Sequence, residues 1–330
     1  MIANNPAKTA SLDEFMDRGR HFADVGGKGV PMKNYQPFTH FVLEHFVKKA
    51  EMINGEALLP TDGRPVVAIA SHGPNIAWLP LAALAGKFFI DSGYGDIVGG
   101  FFPHKAVFLV PGFKNYYKRV LGAPTDVKTV EEFVQLLKDH ELGVTGTAPE
   151  GANCLLAYDE YVAPFQSKGM VAAAIKADAS ICLLVHQGAE DWNIRIKLPF
   201  GWTVPLTNGL SGINIPLLPY KKIDNYMVRC QRYEPSITSK DLSGKSKRQV
   251  RLLLNVEIEK IRAEMNMMTD DLKARMKEAK ALSTKGKLST WAERAADIGA
   301  LIKSSVVYRP HTNPIARSKG QGLTVAKKVA

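Results

Sequence analysis

The sequence predicts an α/β protein with a mostly parallel central sheet flanked by helices. Three observations predict it. Short continuous apolar runs, PVVAIAS at 65–71, ELGVTGTA at 141–148 and SICLLVHQG at 180–188, recur along the first two thirds of the chain. Such runs suit strands covered on both faces. Helical patterns separate them, and strand–helix alternation is how a parallel sheet is connected. The 330 residues, 45% hydrophobic and 23% charged, allow one large domain or one domain with an appendage.

Taken in order, residues 1–37 read as an N-terminal arm that includes the glycine-rich DVGGKGV. The stretch FTHFVLEHFVKKAEMI at 38–53 places Phe38, Phe41, Val42, His45, Phe46 and Met52 at helical spacing. His40 and His45 ride on that helix, with no third ligand at a metal-binding spacing. TDGRP at 61–65 is a turn, and PVVAIAS is the buried strand after it. WLPLAALAGKFF at 78–89 reads as a helix, and KAVFLVPGF at 105–113 as a helix or a strand. TVEEFVQLLKDH at 129–140 is an amphipathic helix with Thr129 or Asp126 near its start and acids in its first turn. ELGVTGTA is the next strand, GMVAAAIKADA at 169–179 the next helix, and SICLLVHQG another strand. The Pro- and Gly-rich segment 194–220 suits loops and short strands over a pocket. NYMVRCQRY at 225–233 is a further strand, and a long helix fills 246–282. The division expected is an arm at 1–37, an α/β domain at 38–265, and a basic, helical and partly disordered extension at 266–330.

Composition narrows the partners. Residues 1–220 carry 19 Lys and Arg against 21 Asp and Glu, whereas residues 221–330 carry 24 against 11. A basic C-terminal third beside a nearly neutral remainder points to an anionic surface. No base-reading or RNA-recognition motif accompanies it, so membrane is expected rather than nucleic acid. Cys154, Cys182 and Cys230 are too few and too scattered for a disulfide framework or a zinc knuckle. The N-terminus lacks an apolar signal core, and no apolar run reaches the ~18 residues a membrane span requires. The expected setting is cytoplasmic, at the inner face of a membrane.

Several catalytic signatures fail. The nearest string to a nucleophile elbow, GLSGI at 209–213, lacks the second spacing. The GKS within 243–247 has Ser239 where a P-loop needs its first glycine, and no HExxH is present. What remains is His72–Gly73 at one strand end and TAPEG at 147–151 at another. Ligand sites of α/β sheets form where parallel strands finish, so both segments are expected to face one crevice. A strand-end histidine can act as general base on an alcohol. Gly73 lets a substrate approach the backbone, Pro149 sets the turn direction, and Glu150 offers a carboxylate to a hydroxyl. The same residues also read as a loop histidine, a turn and a helix cap.

The ordered set resembles the glycerolipid acyltransferase superfamily, which includes lysophosphatidate acyltransferases and diacylglycerol acyltransferase-like branches. The resemblance rests on VAIASHGPNIAW, then KAVFLVPGFKNYYKRVLGA, then GVTGTAPEGANC, then QSKGMVAAAIKADASICLLVHQG, with NYMVRCQRYEPSITSKDL closing the series. It covers residues 65–265. It implies an acyltransferase-like fold and transfer of a fatty acyl group from an acyl thioester to a lipid or glycerolipid hydroxyl, with His72 as general base and Glu150 in the catalytic pair. Gly73, Asn75 and Lys105 are implied on the substrate-binding side. Pro149, Gly151, Asn153 and Lys168 complete that set. Acyl-CoA or acyl-carrier protein is the implied co-substrate, with no metal or other cofactor. Departures accompany the likeness. The aspartate expected shortly after the histidine is replaced by Ala77 and Trp78; other branches of the superfamily manage without that local aspartate, and Asp91 or Asp96 could substitute for it in space. No basic residue follows the Pro-Glu-Gly, where Ala152 and Asn153 stand, leaving Lys105, Lys114, Arg119 or Lys168 to meet a phosphate. Those departures define the alternative, a catalytically inactive lipid- or acyl-CoA-binding member of the same fold. Phe88, Phe89, Phe101, Phe102, Phe108 and Phe113 read as core or as an acyl groove, and Tyr116 and Tyr117 as headgroup-level aromatics.

Overall fold

The computed structural model describes residues 29–73, 77–101, 129–151, 162–197, 212–216 and 222–283. Its strands are β1 (Val30–Pro31), β2 (Ala50–Ile53), β3 (Val66–Ala70), β4 (Val98–Phe101), β5 (Val144–Thr147), β6 (Ser180–Gln187), β7 (Asn193–Lys197), β8 (Gly212–Pro216) and β9 (Tyr226–Tyr233). Its helices are α1 (Gln36–Phe46), α2 (Leu79–Asp91), α3 (Val130–Lys138), α4 (Gly169–Ala177), α5 (Ser239–Leu242) and α6 (Lys247–Ser283). A seven-stranded sheet runs β1-β4-β5-β3-β6-β9-β2, and β7 pairs with β8 apart from it.

The sheet is mixed, which corrects the expectation of a mostly parallel one. Strands β4, β5, β3 and β6 run parallel, the last three being those the apolar runs foretell. However, β9 lies antiparallel to β6, β2 runs parallel to β9, and β1 is antiparallel to β4. The hydrophobic period of a strand says which faces are covered, not which way the chain crosses the sheet. The segment 50–53, read as the end of a helix, is instead strand β2. Helix α1 stops at Phe46, where Val47 turns extended (φ −132°, ψ 135°) and the chain joins β9.

The strand period of two divides the core between two faces. Val66, Ala68, Cys182, Leu184 and Val228 pack with α1 and α2, against Phe38, Val42, Leu81 and Phe89. Val67, Ile69, Ile181, Leu183 and Val185 face the other way, against α3, α4 and α6. Helix α6 contributes Leu254, Ile258, Ile261, Met265, Met268, Leu272 and Met276, a stripe spaced by threes and fours that one helix face must show. This stripe passes residue 265 without a break, and β1 with the buried Tyr35 joins the opposite core. Most of the 1–37 arm, segment 102–128 and the tail beyond 283 lie outside the described residues. Among the described residues no helix is long and apolar enough to cross a membrane.

Candidate active site

Strands β3 and β5 are neighbours and parallel, with Val66 opposite Val144 and Ile69 opposite Thr147, so their C-terminal ends share one edge of the sheet. The chain leaves β3 through Ser71, whose N–H still donates to the Leu184 carbonyl at 2.8 Å, extending the β3–β6 ladder by one rung. It then turns at Gly73, with φ +62°, a left-handed conformation that glycine adopts without strain. Beside it the chain leaves β5 through Ala148, Pro149 and Glu150 to Gly151, with φ +61°.

Glu150 links these two exits. Its side chain is 2% exposed. Oε1 accepts the His72 main-chain N–H at 2.9 Å, and Oε2 accepts the Ala163 N–H at 3.0 Å. The Pro149 carbonyl accepts the N–H groups of Gln166 (2.9 Å) and Ser167 (3.1 Å), so residues 162–167 form a strap across the turn. Helix α6 holds the strap from its far side. Asn266 Oδ1 accepts the Val162 N–H at 3.1 Å, and an Arg262 N–H donates to the Val162 carbonyl at 3.4 Å. Burial pushes the Glu150 carboxyl up to about 7, against the two N–H donors and the Arg262 charge that favour its ionised form. With one main-chain donor on each oxygen, the Glu150 carboxylate ties the His72 turn to the 162–167 strap.

The His72 ring is oriented by the main chain rather than by a carboxylate. Its Nδ1 lies 2.8 Å from the Gly73 carbonyl oxygen. A carbonyl only accepts, so this contact places the proton on Nδ1 and leaves a lone pair on Nε2. Burial lowers the His72 pKa below the ordinary 6.5, partly countered by the Gly73 hydrogen bond, and keeps the ring neutral near pH 7. Trp78 tilts against it with ring centroids 6.2 Å apart. Neither substitute aspartate serves it: Asp96 pairs with Lys33 at 2.6 Å, and Asp91 pairs with Lys87 on the exposed end of α2.

Of the other residues expected here, Gly73, Pro149 and Gly151 stand on the two turns. Lys168 sits at the N-terminal end of α4 and donates to Asn255 of α6, just beyond the strap. Asn75, Lys105, Asn153, Lys114 and Arg119 lie outside the described residues. So do Phe102, Phe108, Phe113, Tyr116 and Tyr117. Phe88, Phe89 and Phe101 belong to the core on the α1–α2 side. His186, absent from the expected site, occupies the end of β6 directly beside the His72–Gly73 turn. A Cβ placed on Gly73 would come within 2.9 Å of its Cε1. A histidine near the close of an apolar run, on a strand parallel to β3, was the signal for it. Among the described residues no group of three or more His, Cys, Asp or Glu is placed to hold a metal ion.

The fold and these turns define a three-layer α/β protein with a strand-end histidine site. No family model matches the sequence, and no curated protein matches it. Among solved structures, the chain is similar to that of the 1-acyl-sn-glycerophosphate (LPA) acyltransferase, PlsC, from Thermotoga maritima. The two share 17% identity over 80% of each chain, with a TM-score of 0.40. A likeness of that degree carries no argument about activity.

Proposed function

We propose that this chain transfers a fatty acyl group from an acyl thioester to a lipid hydroxyl, with His72 as the general base. One observation carries the reading: a neutral imidazole, held through Nδ1 by the Gly73 carbonyl, keeps a basic Nε2 at the edge where parallel strands end. The acceptor hydroxyl gives its proton to Nε2 as its oxygen bonds to the acyl carbon. The carbon–sulfur bond then breaks, and the leaving thiolate takes the proton back from the imidazolium. The His72 and Gly151 main-chain N–H groups are taken by Glu150 and Ala148, so the reading assigns the developing oxyanion to the Gly73 main-chain N–H. Glu150 holds the turn that carries His72. The substrate class comes from the ordered resemblance of residues 65–265, not from the turn geometry.

The acceptor would be met at an anionic membrane surface. Lys240, Lys245, Lys247, Arg248 and Arg251 are exposed around the start of α6. Beside them Leu252 and Val256 are 57% and 61% exposed, an apolar and cationic combination that suits an interfacial helix. Each basic residue near such a surface contributes about 1 kcal/mol.

A second reading is a lipid- or acyl-CoA-binding protein of the same fold without turnover. It is favoured by the place of Glu150, whose Oε1 meets the His72 main-chain N–H rather than the imidazole. The test is incubation of the purified protein with labelled acyl-CoA or acyl-carrier protein and a panel of lipid alcohols on anionic vesicles. Labelled ester from the wild type supports transfer, and the productive acceptor names the branch. Saturable donor binding without ester, while a control enzyme turns over, replaces it with the binding reading.

A further inference from the structure

We propose that His186 is a positioning residue for His72, acting through the Gly73 turn. The inference rests on the reading of His72 as the base and extends it to a second histidine that touches neither substrate nor reacting atom.

The geometry is that of a two-ring pile beneath a loop. His186 is 6% exposed, and its ring lies against Gly73: a Cβ there would sit 2.9 Å from Cε1 and 3.2 Å from Nε2. The backbone of the turn therefore rests on the edge of the imidazole. On its other side the ring tilts against Tyr226 of β9, centroids 5.6 Å apart and planes at 32°. The Tyr226 hydroxyl donates to the Ala77 carbonyl at 3.2 Å. Gly73 and Ala77 themselves close on each other, the same Cβ coming within 3.1 Å of Ala77 Cβ. Both ends of the 73–77 segment thus stand on His186 and Tyr226, and the Gly73 carbonyl that fixes His72 Nδ1 belongs to that supported turn.

Packing alone does not call for an imidazole here. Its Nε2 is buried and, among the described residues, reaches no hydrogen-bond partner of good geometry, a cost that an apolar ring of similar size would avoid. The main chain of Ser71 and His72 does face the ring, and it favours the protonated form. A group that does so is an acceptor, so carbonyl oxygens of the residues just before the turn look onto the imidazole N–H edge. Among the described residues the titratable groups around this pair are Glu150 on the His72 N–H, Tyr226, and Glu190, whose charge reaches the Tyr226 hydroxyl. Burial and the neighbouring His72 hold His186 neutral, down to about 4, so His186 itself places no fixed cation beside the base.

The decisive experiment is ring-nitrogen NMR of the full chain, reading the tautomer and titration of His72 in the wild type and in His186→Phe. The wild type is expected to show His72 protonated on Nδ1, with a pKa below the ordinary histidine value. His186→Phe is expected to mix the tautomers and raise that pKa toward the ordinary value as the turn loosens. Tyr226→Phe keeps the ring, removes the hydroxyl's contacts to the Ala77 carbonyl and the Leu81 main chain, and is expected to shift both in the same direction by less. His186→Asn, which keeps a side-chain N–H donor, is expected to lie between the wild type and the Phe variant. If His186→Phe does not fold, the other two variants decide. An unchanged His72 tautomer and titration in the folded variants overturns the proposal. Where the wild type transfers acyl groups, kcat is expected to fall about 10²-fold in His186→Phe with KM little changed, as for a misplaced catalytic group. A wild type without transfer would overturn the acyltransferase reading, while the NMR result would still decide the role of His186.

Discussion

The turns after β3 and β5 begin from the same backbone device and end in opposite uses. Each leaves a parallel strand and closes on a glycine in the left-handed region, Gly73 at φ +62° and Gly151 at φ +61°. After β3 the ionisable side chain is half-buried and its ring is held by one carbonyl. After β5 the ionisable side chain is buried, and both its oxygens meet main-chain N–H groups. On the proposed reading, the difference separates chemistry from support. A base must keep a nitrogen available, whereas the Glu150 carboxylate spends one acceptor site of each oxygen on tying two segments together.

Variants that exchange or remove those roles should break the comparison unequally. His72→Ala should lower acyl transfer by roughly 10²- to 10⁴-fold, the range of a lost general base. Its unfolding free energy should change by about 1 kcal/mol or less, read by denaturant titration. Glu150→Ala should do the reverse. Leaving the His72 and Ala163 N–H groups without an acceptor should cost about 2–4 kcal/mol of stability. Its activity should fall only as far as the His72 turn is displaced. Equal stability losses in the two variants would erase the distinction.

A pH titration sharpens it. Glu150 is raised in the folded state, from 4.5 to about 7, so the folded chain binds the extra proton between those values. Its contribution is full below pH 4.5 and is lost as pH rises through 7, by about 3 kcal/mol. His186 is lowered from 6.5 to about 4, so the unfolded chain binds the extra proton. Stability therefore rises with pH across 4–6.5, by about 3 kcal/mol, and the lowered His72 adds to it. The two slopes oppose each other in the wild type. Removing Glu150 should leave a curve that climbs from pH 4 to 6.5, and removing His186 one that climbs less or falls. Parallel curves for both variants would contradict these assignments.

The smallest effects lie at the periphery of the strap. Gly151→Ala forces a side chain into a left-handed position with Gln166 Oε1 2.5 Å from the new Cβ, and should cost about 1–2 kcal/mol. Asn266→Ala removes the acceptor of the Val162 N–H and should cost about 1 kcal/mol, with a modest loss of transfer.

Much of this was legible in the sequence, for reasons that also explain the rest. The runs that became β3, β5 and β6 are apolar on both faces because helices cover both, and that placed His72 and the Pro149–Glu150 turn at strand ends. Strand β2 was not legible: Met52 continues the helical spacing of Phe38 to Phe46, and only pairing with β9 makes Ala50–Ile53 extended. Nor was the direction of β9, since periodicity carries no polarity. The inward turn of Glu150 depends on partners 78 and 13 positions away in the chain, beyond any local pattern. His186 was in plain view in SICLLVHQG, but its meaning required β6 to lie next to β3.

The most direct measurement sets the pH dependence of kcat/KM for acyl transfer beside the NMR titration of His72 in the same protein. The rate is expected to rise with the deprotonation of His72, along one limb whose midpoint matches the ring's own pKa below 6.5. A rate that stays flat while the His72 ring titrates would contradict His72 as the base.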